Sequence, residues 1–409
     1  MSDNRRPTAS GASFHSSSEG IRRTPTTWAA YLMLGLFAFL ETVIGPSMPF
    51  LREKLGLGFT MASVHFSLFA AGVIVAGITA DRILGRIGRR YGFWLGMAGM
   101  AGGAALVGAS PIVAGTLIGV AIMGFVGTWA LVSNQAILAD EHPTSRTVAL
   151  SESNVVASAA AILAPLAVGG FARFGPSWEV ALLIGVPALL LLAWRFWSAP
   201  IPQAAPRDRS NRSDERLPRL FWMLWGVLFL SLSVEWCMAY WGADFLHDEV
   251  GLEKATASTM MSVFFVAMIT GRMAGSRLAR RMASTRLLML SFAIALVGFP
   301  LFWLGTQSWI NVTGLFLTGL GVANFYPLTV SSALAVLPAS VDRALTRLQI
   351  SAGSALLLMP LIVGIVSDSV GIKTGLGVIV PLIGFAMVLI AYVDLQLKAS
   401  TGAPARSGA

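Results

Sequence analysis

The chain states one pattern twice, about 195 positions apart. Glu41 recurs as Glu235 and Gly77 as Gly271, each 194 positions on, while Gly56 recurs as Gly251, Pro165 as Pro360 and Gly169 as Gly364, each 195 on. A constant offset between glycine, proline and acidic positions in two apolar halves is the mark of a duplicated helical unit. It demands that whatever the first half folds into, the second half folds into as well, and that the two meet at a seam.

The halves are written in apolar runs too long for a soluble core. Hydrophobic residues make up 55% of the sequence and charged residues 12%, against roughly 25% charged in soluble domains. Twelve stretches approach the roughly 20 residues that cross hydrocarbon. They lie near 28–49, 60–80, 91–110, 112–137, 148–171, 177–197, 219–245, 256–276, 287–306, 311–335, 347–368 and 374–396. The expected fold is an all-α membrane protein of two six-helix bundles. Residues 28–197 form the first bundle and 218–397 the second, with a polar linker over 198–217, a disordered tail over 1–27 and a short tail over 398–409. The N-terminal tail has no apolar core and does not read as a signal peptide.

Basic residues orient the spans. With the N-terminus inside, 24 of the 29 Lys and Arg are cytoplasmic and only Arg52, Lys54, Arg173, Lys254 and Lys373 lie outside, the bias expected of a multi-pass protein of the cell membrane. Both termini are then cytoplasmic. The net charge of +9 is spent in short loops beside lipid headgroups, so the partner it implies is the bilayer and not nucleic acid. The lone cysteine, Cys237, lies in an apolar span and reads as packing. No metal cluster, phosphate-cradling glycine loop or nucleophile triad appears. Neither enzymatic chemistry nor a cofactor is expected, and the chain is expected to act as a monomer.

Polar residues inside the spans mark the working parts. Glu41 and Glu235 fall near mid-membrane, about thirteen and sixteen residues into their spans. A carboxylate there costs roughly 2.5–3.5 kcal/mol on insertion scales, so each must face water, find a partner or hold a proton. No Lys or Arg stands at matching depth on this span layout, which makes the pair candidate sites for a proton, a solute or both. The competing reading is a protonated side chain that only bonds a neighbouring helix. Trp236, Tyr240 and Trp241 follow Glu235 closely, and aromatic faces beside a carboxyl suit a sugar ring or an organic cation. The repeat pairs Trp129 with Asn324, each mid-span. Asn324 reads as a ligand contact or a cross-helix bond, and His65 as a titratable contact or a satisfied packing residue. Internal helical repeats that enclose such groups at their seam are the build of secondary transporters.

After span two the sequence runs Gly77, Ile78, Thr79, Ala80, Asp81, Arg82, then Gly85, Arg86, Gly88, Arg89, Arg90. It resembles the signature loop of the major facilitator superfamily, with extra residues between Asp81-Arg82 and the glycine. The second half keeps Gly271, Gly275, Arg277, Arg280 and Arg281 and lacks the acid. The resemblance implies alternating access and an inner gate in which the loop acid meets the start of span eleven. The expected latch is therefore Asp81 with Arg347, mirrored by Glu152 with Arg272 or Arg277. Glu41 before Pro46 and Pro49, the Glu235 and Trp241 run, and Asn324-Phe325-Tyr326-Pro327 resemble the fucose permease group, which implies a proton-coupled symporter of a small sugar-like solute. Drug/proton antiporters usually carry an arginine in span four, which is missing here; a proton-driven efflux antiporter is the alternative. A non-transporting nutrient sensor is a third reading, against which the short tails speak.

Overall fold

The computed structural model describes residues 22–202, 217–336 and 341–402, and these are helical apart from short connections. Residues 1–21 of the expected tail, 203–216 of the expected linker and 403–409 of the expected C-terminal tail lie outside the described residues. Twelve spans emerge in order. Span 1 is Pro25–Thr42 continued by Ile44–Leu55, and spans 2 to 5 are Phe59–Ile87, Arg89–Ala109, Val113–Glu141 and Arg146–Phe174. Span 6 is Val180–Leu183 with Gly185–Phe196; spans 7, 8 and 9 are Arg219–Asp248, Lys254–Leu278 and Ser284–Leu304. Span 10 is Ser308–Val322 with Phe325–Ala335, span 11 is Val341–Val370, and span 12 is Ile372–Leu376 with Ile379–Gly402.

At span 2 the helix runs past its apolar window. Span 2 carries Asp81, Arg82 and Arg86 inside the helix and stops at Gly88, whose φ of 82° no side-chain-bearing residue adopts easily. The expected loop is thus a helical extension with a one-residue turn. Span 8 carries Arg272 inside the 256–276 stretch and Arg277 just past it, both within the helix.

The repeat offset is a structural symmetry. Gly56 and Gly251 both take positive φ, 63° and 76°, just after spans 1 and 7, the left-handed turn that ends a helix. Gly169 lets span 5 press on Thr259 and the Ala255 carbonyl of span 8, and Gly364 lets span 11 press on Ser63 and the Phe59 carbonyl of span 2. Spans 2 with 11 and 5 with 8 therefore form the seam between halves, joined by spans 1 and 7. A side chain at either glycine would hold the halves apart.

Contacts sort the two ends of the bundle. At one end Arg23 meets Glu152, Thr27 meets His142 at 2.8 Å, and Trp225 Nε1 donates to the Arg347 carbonyl at 2.9 Å. This end gathers the starts of odd spans and the ends of even ones, including both described termini, and is the terminal end below. The far end holds Arg52, Asp244, Asp248, Lys254 and Asp368.

Candidate functional site: a cavity at the seam

Two prolines shape the cavity before any side chain does. Pro46 has no N–H for the Thr42 carbonyl and Pro165 none for the Ala161 carbonyl, and both Thr42 and Ala161 line a cavity of about 180 Å³ between the halves. Spans 1 and 5 supply one wall, with Glu41, Asn154 and Ser158. Spans 7 and 8 supply the other, with Glu235, Trp236, Tyr240, Phe264 and Arg272. Glu41 and Glu235 face the same space and act on each other electrostatically. Neither makes a hydrogen bond or ion pair to another described residue, so both are open to a solute or a proton.

Arg272 overturns one expectation. The sequence reading counts it among the basic residues of the terminal end, although it falls within the 256–276 stretch, and leaves the glutamates without a cation at their depth. In the last two turns of span 8 it instead stands in the cavity wall with Glu235. Its Nε donates to the Ala323 carbonyl and its Nη1 to Ser158 Oγ, both at 3.4 Å, so one guanidinium touches the break in span 10 and the opposite half.

The aromatic residues divide. Trp236 faces the cavity and stacks on Tyr240 with centroids 5.4 Å apart. Tyr240 stacks in turn on Phe66 of the other half, at 4.0 Å and 5° between planes, and its hydroxyl has no described partner. Trp241 is fully buried, donates from Nε1 to the Pro360 carbonyl at 3.0 Å and meets Phe59 and Phe66 edge-on. Phe59, Phe66, Tyr240 and Trp241 thus form a floor under the cavity that crosses the seam. Trp241 belongs to that floor and not to the cavity wall.

Three further expected contacts stand elsewhere. Asn324 bonds the Gly271 carbonyl at 3.0 Å and fills the notch left by Gly275, joining spans 8 and 10 within one half. Trp129 packs on Phe125 away from the cavity. His65 is buried between spans 2 and 4, with its ring nitrogens on Thr116 Oγ1 at 2.8 Å and the Met61 carbonyl at 3.0 Å, a satisfied packing residue.

Below the floor the far end is tied shut. Arg52 donates to Asp244 at 2.6 Å and Asp248 at 2.9 Å, joining spans 1 and 7, with its guanidinium 3.6 Å from the centroid of the Phe59 ring. Asp244 is completely buried. Lys254 pairs with Glu53. Asp368 of span 11 accepts the Phe59 and Thr60 N–H groups at 2.7 and 2.8 Å, capping span 2 from the opposite half. Gly58 at that N-cap has no side chain to do so, and an added Cβ would sit 3.0 Å from Asp368 Oδ1. Hydropathy gave no sign of this lock; the signal was there as Arg52, Asp244 and Asp248, charges placed just inside the span ends.

The terminal end has no matching tie. Asp81 and Arg347 are exposed and make no ion pair among the described residues. Glu152 does not reach Arg272 or Arg277; it accepts from Arg23, at 3.0 and 2.7 Å, and from Tyr31 at 2.9 Å, all within the first half. The latch expected at this end is not formed in this conformation. Asn154 and Arg272, the cavity residues nearest this end, are exposed, so the cavity is sealed on one side and accessible on the other.

Comparisons agree with this architecture. The family model of the major facilitator superfamily matches residues 30–311 and 224–408. An "uncharacterized transporter", y4wD, of Sinorhizobium fredii (strain NBRC 101917 / NGR234) is 32% identical over 129 residues, 32% of this chain and 34% of its own. "Membrane protein MosC" of Rhizobium meliloti is 25% identical over 199 residues, 48% of each chain. The chain therefore spans about half or less of these curated relatives. A bacterial homolog of the human lysosomal transporter Spinster, in an inward-facing and occupied conformation, superposes with TM-score 0.78 at 15% identity, over 92% of this chain and 98% of that one. The nucleoside transporter NupG, as a D323A mutant, gives 0.73 at 16% identity over 91% and 98%. At such identities these structures share the fold.

Proposed function

We propose that the chain, which belongs to the major facilitator superfamily, is a proton-coupled secondary transporter that carries a small polar, sugar-like solute across the cell membrane by alternating access. One observation carries this reading: two unpartnered carboxyls, Glu41 and Glu235, share a seam cavity with an aromatic wall, sealed at one end and accessible from the other. A site open to one face at a time is what lets a bound solute change sides without a continuous pore. With the termini cytoplasmic, as the basic residues indicate, the conformation is inward-facing.

The geometry suits the solute class. Trp236 offers a stacking face; Glu41, Glu235 and the carbonyls freed by Pro46 and Pro165 accept hydrogen bonds; Arg272, Asn154 and Ser158 donate them. A hydroxyl-rich ring needs both kinds. Proton-driven efflux of a lipophilic cation is the second reading, favoured by the same two carboxyls beside Trp236 and Tyr240.

The test begins with thermal-stability screening of the purified protein against sugars, nucleosides, organic acids and lipophilic cations, since a selective binder raises the melting temperature by mass action. The binder is then followed into proteoliposomes under an imposed pH gradient. Gradient-driven accumulation that is lost in Glu41→Gln and Glu235→Gln is the expected result. Full accumulation in both variants would remove the glutamates from coupling, and binding with no flux would favour a sensor.

A further inference from the structure

The repeat lets one side of the floor be compared with the other. Gly45 lies against the carbonyl of Ala239, its own partner 194 positions on, so the axis relating the halves passes between them. Spans 2 and 11 flank the floor on one side of that axis, and spans 5 and 8 flank it on the other. The partners of Tyr240, Trp241 and Phe66 are Pro46, Ser47 and Met261.

The two sides are closed unequally. Toward spans 2 and 11, Phe59, Phe66, Tyr240 and Trp241 interlock, Trp241 is bonded to the Pro360 carbonyl, and Asp368 of span 11 caps the start of span 2. Toward spans 5 and 8 the rings are missing. Met261 stands for Phe66 and packs against Gly242, and an unbranched thioether repacks readily. Ser47 stands for Trp241; it is 2% exposed and its hydroxyl has no partner among the described residues. A buried hydroxyl without a partner favours any arrangement that gives it one. The partner of Asp368 is Arg173, which is exposed and lies by the Phe174 ring. A guanidinium accepts no hydrogen bond and is disfavoured at a helix start, so span 5 offers span 8 no equivalent cap. The tie on this side is Lys254 with Glu53, and Glu53 is 68% exposed, which makes the pair weak.

We infer that, once Arg52 leaves Asp244, the far end opens as a door hinged at spans 2 and 11, and that the solute crosses the floor between spans 5 and 8, past Ser47, Ser258 and Met261. The inference rests on the transporter reading above and names the passage that reading requires. In the closed form Ser258 donates to the Pro46 carbonyl at 2.7 Å. Parting on that side frees this hydroxyl and the Ser47 hydroxyl, so the passage offers donors and acceptors to a hydroxyl-rich solute. The four rings stay together at the hinge.

Ser63 and Ser258 are repeat partners, 195 positions apart, both fully buried and on opposite sides of the axis, which makes them matched probes. Ser63→Cys, Ser258→Cys and Ser47→Cys are each combined with Asp244→Asn in the purified full-length protein. Each is treated in nanodiscs of neutral phospholipid with a charged, membrane-impermeant methanethiosulfonate, and Asp244→Asn by itself controls for Cys237. Labelling follows the open population, so Ser258→Cys and Ser47→Cys should react about tenfold or more faster than Ser63→Cys. Adding Asp368→Ala, which removes the cap at the hinge, should bring Ser63→Cys toward the rate of the other two. Equal rates at Ser63→Cys and Ser258→Cys before that addition, a faster rate at Ser63→Cys, or no labelling at any of the three would overturn the inference. The readout is opening and not flux, so a chain that fails the transport test above can still pass here, and the two failures are distinguishable.

Discussion

Asp244→Asn should open the far end. The parent carboxylate is completely buried and receives Arg52 at 2.6 Å, while Arg52 is 16% exposed and also holds Asp248 at 2.9 Å. Stranding a buried charge by removing its partner costs about 3–5 kcal/mol. Here the stranded guanidinium keeps Asp248, the Phe59 ring and some access to water, and exposed pairs contribute only about 0–1 kcal/mol, so about 2 kcal/mol remains as the loss. Arg52 and Asp244 belong to different halves, and the bond exists only while the far end is closed. The loss therefore appears as a change in the balance of conformations, about 30-fold toward the far-open one. Spin labels on Pro111→Cys and Thr306→Cys, exposed positions in far-end loops of the two halves, report the two separations by pulsed electron resonance, with Cys237 buried beyond labelling. An Arg52→Gln/Asp244→Asn double variant should shift the balance no more than the larger single change. A shift under threefold in Asp244→Asn, or one toward the closed form, would refute the lock.

Other perturbations probe the remaining parts. Gly45→Val puts a side chain into the Ala239 carbonyl where spans 1 and 7 touch, and should cost about 1–3 kcal/mol of thermal stability, seen as a lower melting temperature. Gly77→Val meets no heavy atom within 4 Å, so melting should stay within about 0.5 kcal/mol of the parent; if span 11 closes on this face in the opposite state, turnover falls while binding from the terminal side survives. Trp236→Ala removes a stacking face worth about 0.5–1.5 kcal/mol, and the solute found by screening should bind about 2- to 12-fold more weakly in calorimetry. Asp81→Ala and Arg347→Ala should show coupling in a double-mutant cycle of turnover, because their pairing is expected in the conformation closed at the terminal end; strictly additive effects would discard that latch.

The parts legible in the sequence are those where one residue type has one physical use. A glycine recurring at a fixed offset marks close approach or a left-handed turn, so Gly56, Gly251, Gly169 and Gly364 announced the two-bundle seam, and the structure uses all four in that way. Glu41 and Glu235 were legible because a carboxyl has few places to go in hydrocarbon. Residues with several uses were not legible. Asn324 can bond a ligand or a backbone carbonyl, and only the notch at Gly275 decides for the carbonyl. Trp241 can stack on a solute or seal a floor, and the Pro360 carbonyl, 119 positions away, decides for the floor. Arg272 was misjudged for a different reason: hydropathy marks where lipid ends, not how far toward that end a cavity reaches. Span 8, Lys254–Leu278, nearly matches the 256–276 stretch, and it is the cavity that reaches down to meet Arg272.

The two ends of the bundle now explain each other. At the far end the lock ties spans 1 to 7 and 2 to 11 through Arg52 and Asp368, whereas at the terminal end Glu152 is turned back onto Arg23 of its own half. The same glutamate cannot hold Arg23 and Tyr31 as it does here and also close on span 8. If the terminal end shuts by way of Glu152, that closure must first break the Arg23 pair, whose members are 46% and 30% exposed and which is therefore weak. The far lock, with its buried Asp244, is the stronger tie. The empty protein should accordingly rest with the far end closed, and Arg23→Ala alone should move the balance less than threefold, a limit the same spin-label pair measures. A larger effect from Arg23→Ala than from Asp244→Asn would mean that the terminal end, not the far end, sets the resting conformation.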